Sequence, residues 1–413
     1  MRWSAALSEA QDYAEAVDAL AERMRETLGA VPDLVLLFAS PHHAAAWNDL
    51  VRRVHTAFPS ASIVGCSGGG VIGDAFEVEH RRAVAMVGAT LPGVRLHAFA
   101  IAPTSWPDDD DDPDPTASWR EHLELPGDFD PAAMLLFPEP FGGQAERLVE
   151  ALERAFPAMT LFGGVASGAP FPGGSALFLD GRALPLGAVG VAFSGAISFD
   201  VIVSQGCRAV GPPMLVTKAD GTEIFALGDQ APRDALRSIY DSLGEADQQL
   251  FRKSLFIGVE PEPERVQHQA GHWLVRNIRG IDADSGALAL AARIEPWQVV
   301  QFLVRDAHAA EADLRERLQA ASAEADVPDA ILLLTCMGRG VGLFGSPNHD
   351  ADLCVEQLGR APLGGVFCNG EIGPVGDRTF VHGYTTVVAI IRGQRAEPAP
   401  EASGRDPQSA PPK

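Results

Sequence analysis

Cys336, Gly338, Arg339 and Gly340 directly follow the apolar run Ile331-Leu332-Leu333-Leu334-Thr335, and Ser346, Pro347, Asn348 and His349 come next. A loop of this kind gathers a thiol, a guanidinium and glycine-exposed backbone N–H groups ahead of a helix start, which suits a small anion. Downstream, Cys368, Asn369, Gly370, Glu371 and Gly373 set a second thiol and an acid in a glycine-lined turn, with His382 beyond. Glu371 either pairs with Arg339 across the site, accepts a ligand amine, or sits exposed in its turn. Cys336 or Cys368 with His349 or His382 and Glu371 has the residue types of an activated thiol. Nothing in the spacing marks a triad, and buried structural thiols explain both cysteines as well. One charge-assisted bond and two helix starts together supply about 4–6 kcal/mol, while a millimolar to micromolar ligand needs about 4–8 kcal/mol. The parts therefore suffice for a metabolite carboxylate.

Three stretches share the plan that positions these residues. Leu34–Ala39 is an apolar run followed by Ser40-Pro41-His42-His43, then a helix with Trp47, Leu50, Val51, Val54 and Phe58 at 3.6-residue spacing, then a strand into Gly65-Cys66-Ser67-Gly68. Residues 132–137 repeat the plan with a helix through Leu148, Val149, Leu152 and Phe156, ending at Gly163-Gly164. Residues 331–335 repeat it again, with a helix around 353–358 and a turn at Cys368-Asn369-Gly370. Units one and three are the closer pair, since both carry Ser-Pro-x-His and both end in Cys-[Ser/Asn]-Gly. Serine as N-cap with proline at N1 starts each of these helices, and places His43 and His349 in a first turn as neutral hydrogen-bonding groups.

Between the units the chain alternates at strand length, over 76–89, 94–101, 186–193, 197–205, 273–279 and 299–305. Helical crossovers and hairpins in one chain predict an α+β fold of mixed, largely antiparallel β-sheets covered by helices, in two pseudo-repeated halves. Further helices are expected near Tyr13–Leu28, 232–243 and 307–325, and the division of the chain near 221–231. The domain assignment is an N-terminal helix over 1–30, domains over 31–225 and 226–392, and a disordered proline- and charge-rich tail over 393–413. The acidic run at 108–114 reads as a solvated loop, since no glycine-bearing ligand loop for calcium accompanies it. Gly68 to Gly73 and Gly340 to Gly345 both spell G-x-G-x-x-G. The first lacks a following helix and the second lacks the acidic partner of a dinucleotide site.

A formal charge of −23 over 413 residues argues against nucleic acid and against an anionic membrane surface. Five scattered cysteines without C-x-x-C spacing suit reduced thiols and fit neither a disulfide framework nor a zinc site. With no signal-peptide pattern and no apolar run of membrane-spanning length, a cytoplasmic location is expected, with no membrane insertion, no cofactor and no metal.

The stretch running from Thr335-Cys336-Met337-Gly338-Arg339-Gly340 through Asn369-Gly370-Glu371-Ile372-Gly373-Pro374 to His382-Gly383-Tyr384 resembles the C-terminal half of the FIST domain. The segments around Gly65-Cys66-Ser67-Gly68 and Gly206-Cys207-Arg208 resemble its N-terminal half, and the match extends from about Val31 to Arg392. The resemblance implies a sensory, small-ligand-binding module of signal transduction, which occurs alone or joined to signalling outputs in bacteria and joined to F-box proteins in eukaryotes. It implies an amino acid or derivative as ligand and a separate signalling protein as partner. By position, Gly338, Arg339, Gly340, Asn369, Gly370, Glu371, Gly373 and His382 take its C-half motif, and Cys66, Ser67, Gly68, Gly206, Cys207 and Arg208 its N-half motif. No catalytic set comes with the family. A sensor rather than an enzyme is expected, with a cysteine-dependent enzyme or a protein-interaction scaffold as the alternatives.

Overall fold

The computed structural model describes residues 1–394 except 105, 108–111, 143, 262–272 and 324–326. Most of the acidic run and all but the start of the tail therefore lie outside the described residues. Three sheets repeat one design. Each has a parallel pair joined by a helix: Leu34–Ala39 with Ser62–Ser67, Ala133–Pro138 with Thr160–Gly164, and Ala330–Cys336 with Leu363–Cys368. Two antiparallel strands extend each pair on one side. These are Val84–Thr90 and Arg2–Ser8 in the first unit, Ala188–Gly195 and Val94–Ile101 in the second, and Thr385–Gly393 and Ile197–Gln205 in the third. The α+β expectation holds, as do the three strand, helix and strand units. The opening residues differ from the helix assigned to 1–30. Arg2–Ser8 is a strand whose Trp3, Ser4, Ala5 and Ala6 are all buried, so it lacks the polar alternation that marks a half-exposed strand.

A hairpin from a neighbouring unit completes each sheet on the other side. Leu177–Leu179 and Arg182–Leu184, from the second unit, join the first. Glu371–Val375 and Arg378–His382, from the third, join the second. Gly70–Gly73 and Phe76–Glu79, from the first, join the third. The exchange is cyclic, and the inner faces of all three sheets share one apolar core that includes Leu36, Phe38, Leu135, Phe137, Leu332 and Leu334. Two helices cover each outer face: Tyr13–Leu28 and Trp47–Ala57, Pro115–His122 and Ala145–Ala155, and Ala307–Ala323 and His349–Leu358. The first of these forms because Asp12 caps the N–H groups of Ala14 and Glu15, while Val17, Leu20, Ala21, Met24 and Leu28 fall on one buried stripe, and Gly29 ends it at φ 63°.

Glycine fixes the correspondence between units. Leu37 faces Gly65, Leu136 faces Gly163 and Leu333 faces Gly365 across the parallel pairs. A Cβ on any of these glycines would stand 1.8–1.9 Å from the leucine carbonyl oxygen. By this register Cys66 corresponds to Gly164 and Val366, two positions away from the Cys66–Cys368 alignment that the turn motifs suggest. On the exchanged hairpins Val71, Leu177 and Glu371 are equivalent, since each pairs with one of those residues.

A fourth sheet closes on itself. Val299–Arg305 pairs along one edge with Leu255–Val259 and along the other with Met214–Asp220 and Cys207–Ala209, while Glu223–Leu227, Leu288–Leu290 and Leu274–Ile281 complete the ring. Val216, Ile224, Ile257, Leu288, Val300 and Phe302 fill this small barrel, with Pro232–Ser242 packed against it. The division expected near 221–231 contains the barrel strand Glu223–Leu227 and ends at the start of that helix, with barrel strands on both sides of it. No helix among the described residues is long and apolar enough to cross a membrane.

Candidate functional site

The third unit's first strand ends at Cys336, and the chain turns so that Arg339 points inward with 1% exposure. Its Nε donates to Asp350 Oδ2 at 2.6 Å and its Nη2 to Asp350 Oδ1 at 2.8 Å. The partner of Arg339 is thus Asp350, and the pairing with Glu371, one of the alternatives the sequence left open, is not made. An acid in the first turn of His349–Leu358 sits where the helix N-terminus also favours it. Thr335 Oγ1 donates to the same carboxylate, and so does His349 Nδ1, at 3.1 Å each. Burial opposes charge on Asp350, yet Arg339 and these bonds hold it well below the usual carboxylate range. For Arg339 itself, burial again opposes the charge and Asp350 outweighs it, keeping the guanidinium above its ordinary value.

The Ser346-Pro347 pair does not start the helix. A short helix, Val341–Phe344, ends at Gly345, and His349–Leu358 begins after Asn348 at φ 64°, whose side-chain oxygen accepts from Glu77 N. The exchanged hairpin of the first unit thereby replaces a serine cap, and Glu77 Oε1 accepts from Ala351 N in the same turn. Ser40-Pro41 behaves closer to expectation. It opens the 3-10 helix Pro41–Ala46, although Ser40 Oγ accepts from Ala83 N rather than from its own helix. His43 is buried, which pushes it down to about 4 and keeps it neutral.

Glu371 is fully buried on the inner face, where its equivalents are Val71 and Leu177. Its Oε2 accepts from Thr385 Oγ1 at 2.7 Å and from Thr385 N at 3.3 Å. Its Oε1 has no hydrogen-bond donor among the described residues, and the Cys336 thiol lies close enough to influence the same carboxyl group. Burial raises Glu371 to about 8 despite Thr385 and Arg339. Arg339 Nη1 likewise lacks an acceptor among the described residues. Burial, reinforced by Glu371, pushes the Cys336 thiol far above its ordinary value, and burial does the same for Cys66, Cys207 and Cys368. A thiolate nucleophile needs the opposite shift.

Tyr384 closes this cluster from outside. Its backbone is left-handed at φ 61°, an uncommon conformation for a bulky residue. Its hydroxyl donates to Asn277 Oδ1 at 2.9 Å, and its ring rests on Phe256 with centroids 4.2 Å apart. Gly338 must be glycine here, because a Cβ would stand 2.9 Å from the Tyr384 ring. The other face of Tyr384 lines a cleft of about 310 Å³ between the second unit, the barrel and the third unit. Glu139, Glu146, Arg276, Asn277, Asn369, Gly370 and His382 share in its walls. A second hollow of about 290 Å³ meets it at Glu146, Arg276 and Val381. Arg276 Nη2 donates to Glu146 Oε1 at 2.9 Å, with side chains 16% and 55% exposed. His382 Nε2 donates to Gly373 O at 3.0 Å, and burial lowers this ring to about 4.

The residues singled out by sequence therefore divide. Asn369, Gly370 and His382 reach the cleft. Cys336, Gly338, Arg339, Glu371 and Cys207 lie behind Tyr384, with Gly340 and His349 on the far side of Arg339. Cys66, Ser67, Gly68 and Cys368 belong to the meeting point of the three units. There Ser67 Oγ donates to Ser167 O at 3.1 Å and Gly69 N donates to Ser167 Oγ at 2.9 Å. Arg208 is bound to Asp306 and Asp247 on the barrel, and Ser346 is exposed in the loop after the short helix. Asp350, Glu77, Arg276 and Tyr384 were missed. Only Asp350, adjacent to His349, and Tyr384, closing His382-Gly383-Tyr384, stood beside motifs that sequence had marked. Among the described residues no cluster of His, Cys, Asp and Glu is arranged to hold a metal ion.

Residues 33–230 match the family model of the FIST N domain and residues 234–374 that of the FIST C domain. An uncharacterised protein of Mycobacterium tuberculosis is 35% identical over 396 residues, covering 95% of this chain and 100% of the relative. One from Mycobacterium bovis is 32% identical over 380 residues, covering 91% and 95%. An F-box/LRR-repeat protein of Arabidopsis thaliana is 27% identical over 232 residues, or 47% of this chain and 43% of that protein. Among solved structures, a cyanuric acid hydrolase from A. caulinodans aligns over 95% of this chain and 100% of its own, with 9% identity and a TM-score of 0.36.

Proposed function

Because this chain belongs to the FIST family, whose domains are sensory domains of signal transduction, we propose that it senses a small metabolite of amino-acid character bound in the cleft beside Tyr384. The Arg276–Glu146 pair carries this reading, since it offers both charges that a zwitterion needs on one wall. A ligand carboxylate displaces Glu146 from Arg276, and the freed Glu146 takes the ligand ammonium. The exchange is cheap, because a partly exposed ion pair is worth about 0–1 kcal/mol. The ligand carboxylate makes the same kind of bond to Arg276 that Glu146 gives up, so the net gain comes from the ammonium–Glu146 pair and the polar contacts around it. The Asn277 side chain and the Tyr384 hydroxyl supply further polar contacts, and about 310 Å³ lies at the small end of ligand sites.

Calorimetric titration of the amino acids and their decarboxylated or deaminated analogues tests this. Binding that requires both termini of the ligand and is lost in Arg276→Ala is the expected outcome. A chain that binds none of them, or whose Arg276→Ala variant binds unchanged, overturns the reading.

A further inference from the structure

Behind the cleft wall lie two buried groups whose hydrogen-bonding capacity is unused: Arg339 Nη1 and Glu371 Oε1. An orphaned buried polar atom is costly and rare, so two in one cluster ask for an explanation. Packing gives none for Glu371, because the equivalent positions in the other two exchanged hairpins are Val71 and Leu177, and both are comfortably apolar. Tyr384 separates this cluster from the cleft. Its ring covers Gly338, its carbonyl accepts from Gly206 N at 2.9 Å, and a Cβ at Gly206 would sit 3.3 Å from Arg339 Nη1. The strained backbone of Tyr384 makes the closed position one that a modest gain elsewhere can reverse.

We propose that Arg339 Nη1, Glu371 Oε1 and the Cys336 thiol form an inner subsite that takes a second carboxylate of the ligand, and that Tyr384 is its gate. The ligand class becomes an acidic amino acid or a similar dicarboxylate. One end rests on Arg276 and Glu146, so in this respect the proposal rests on the cleft reading above. The inner carboxylate accepts from Arg339 Nη1 and from the Glu371 carboxyl. That carboxyl holds its proton at neutral pH because it is buried, and the groups facing it are Arg339, Cys336, Cys368 and Thr385.

Two measurements test the subsite separately from the cleft. The first is the rate at which methyl methanethiosulfonate labels Cys336, followed by peptide mass. Cys354, on the buried face of the helix His349–Leu358, serves as the folding control. Tyr384→Gly, or Tyr384→Asn as a second variant that tolerates the left-handed backbone, labels Cys336 about tenfold faster with Cys354 unchanged. Acetate at millimolar concentration then slows that labelling. The second measurement compares L-glutamate with L-glutamine by calorimetry. Glutamate binds about tenfold tighter or more, and Glu371→Leu, which restores the apolar pattern of the other hairpins, abolishes the preference.

Equal binding of the two amino acids together with no acetate protection overturns the subsite while leaving the cleft reading intact. Acetate protection with neither amino acid binding supports the subsite and removes the cleft reading. Cys336 labelling that is unchanged in both Tyr384 variants overturns the gate.

Discussion

Replacing Asp350 by Asn is the sharpest test of how the candidate site is held together. The substitution conserves shape but removes the charge that faces Arg339 Nε and Nη2 at 2.6 and 2.8 Å. Both side chains are within 2% of complete burial, so water does not replace the lost partner. A buried ion left without its counter-ion costs about 3–5 kcal/mol. Unfolding entropy of about 2.1 cal/mol/K per residue over the 413 residues gives roughly 0.9 kcal/mol/K, so Tm falls by about 3–6 °C. Scanning calorimetry reads this directly. The paired change Arg339→Met with Asp350→Leu recovers most of the loss, because well-packed apolar groups often stabilise as much as a buried pair. If Asp350→Asn melts within 1 °C of the parent, or the double variant is worse than the single, the ion pair is not what positions this turn.

Stability is expected to peak on the acidic side of neutrality. His43 and His382 are held at about 4 against an ordinary 6.5, so the unfolded chain binds more protons in that window and stability falls as pH drops through it. Glu77 and Glu371 lie at about 8 against 4.5, so the folded chain binds more protons there and their contribution is lost as pH rises through that range. Melting temperature followed from pH 4 to 9 therefore peaks at about pH 5–6.5, and a curve still climbing at pH 8 contradicts these assignments. Gly365→Ala drives a Cβ to 1.8 Å from the Leu333 carbonyl and costs more than about 3 kcal/mol. Gly342→Ala, with nothing within 4 Å, gains or loses less than about 1 kcal/mol in urea unfolding.

Local patterns were legible in the sequence. Leu34–Ala39 and 331–335 are continuous apolar runs because both faces of those strands are buried, one in the shared core and one under helices. Trp47, Leu50, Val51 and Val54 announced their helix by spacing alone. The exchange of hairpins was not legible. Val71 and Leu177 look like any strand residue, and nothing local says that their partner strands lie in another unit. Asp350 was in plain view beside His349, but an acid in a first helical turn is adequately explained by the helix dipole, so its buried arginine partner left no separate trace. Tyr384 gave no sign of its left-handed backbone, since that conformation follows from Gly338, Gly206 and Phe256, which come together only in the folded chain.

The cyclic exchange of hairpins constrains the order in which the chain is able to finish folding. The first unit's sheet stays open at Ser62–Ser67 until the ribosome has delivered Leu177–Leu184. The second stays open at Thr160–Gly164 until Glu371–His382 has emerged, far later in the sequence. Unpaired edges persist while the intervening residues are made, and such edges invite pairing with other nascent chains. Splitting the chain between its two family domains would strand the Gly70–Glu79 hairpin without its sheet and deny the second unit its closing strands. Coexpressed halves are therefore expected to reach a soluble state only in each other's company.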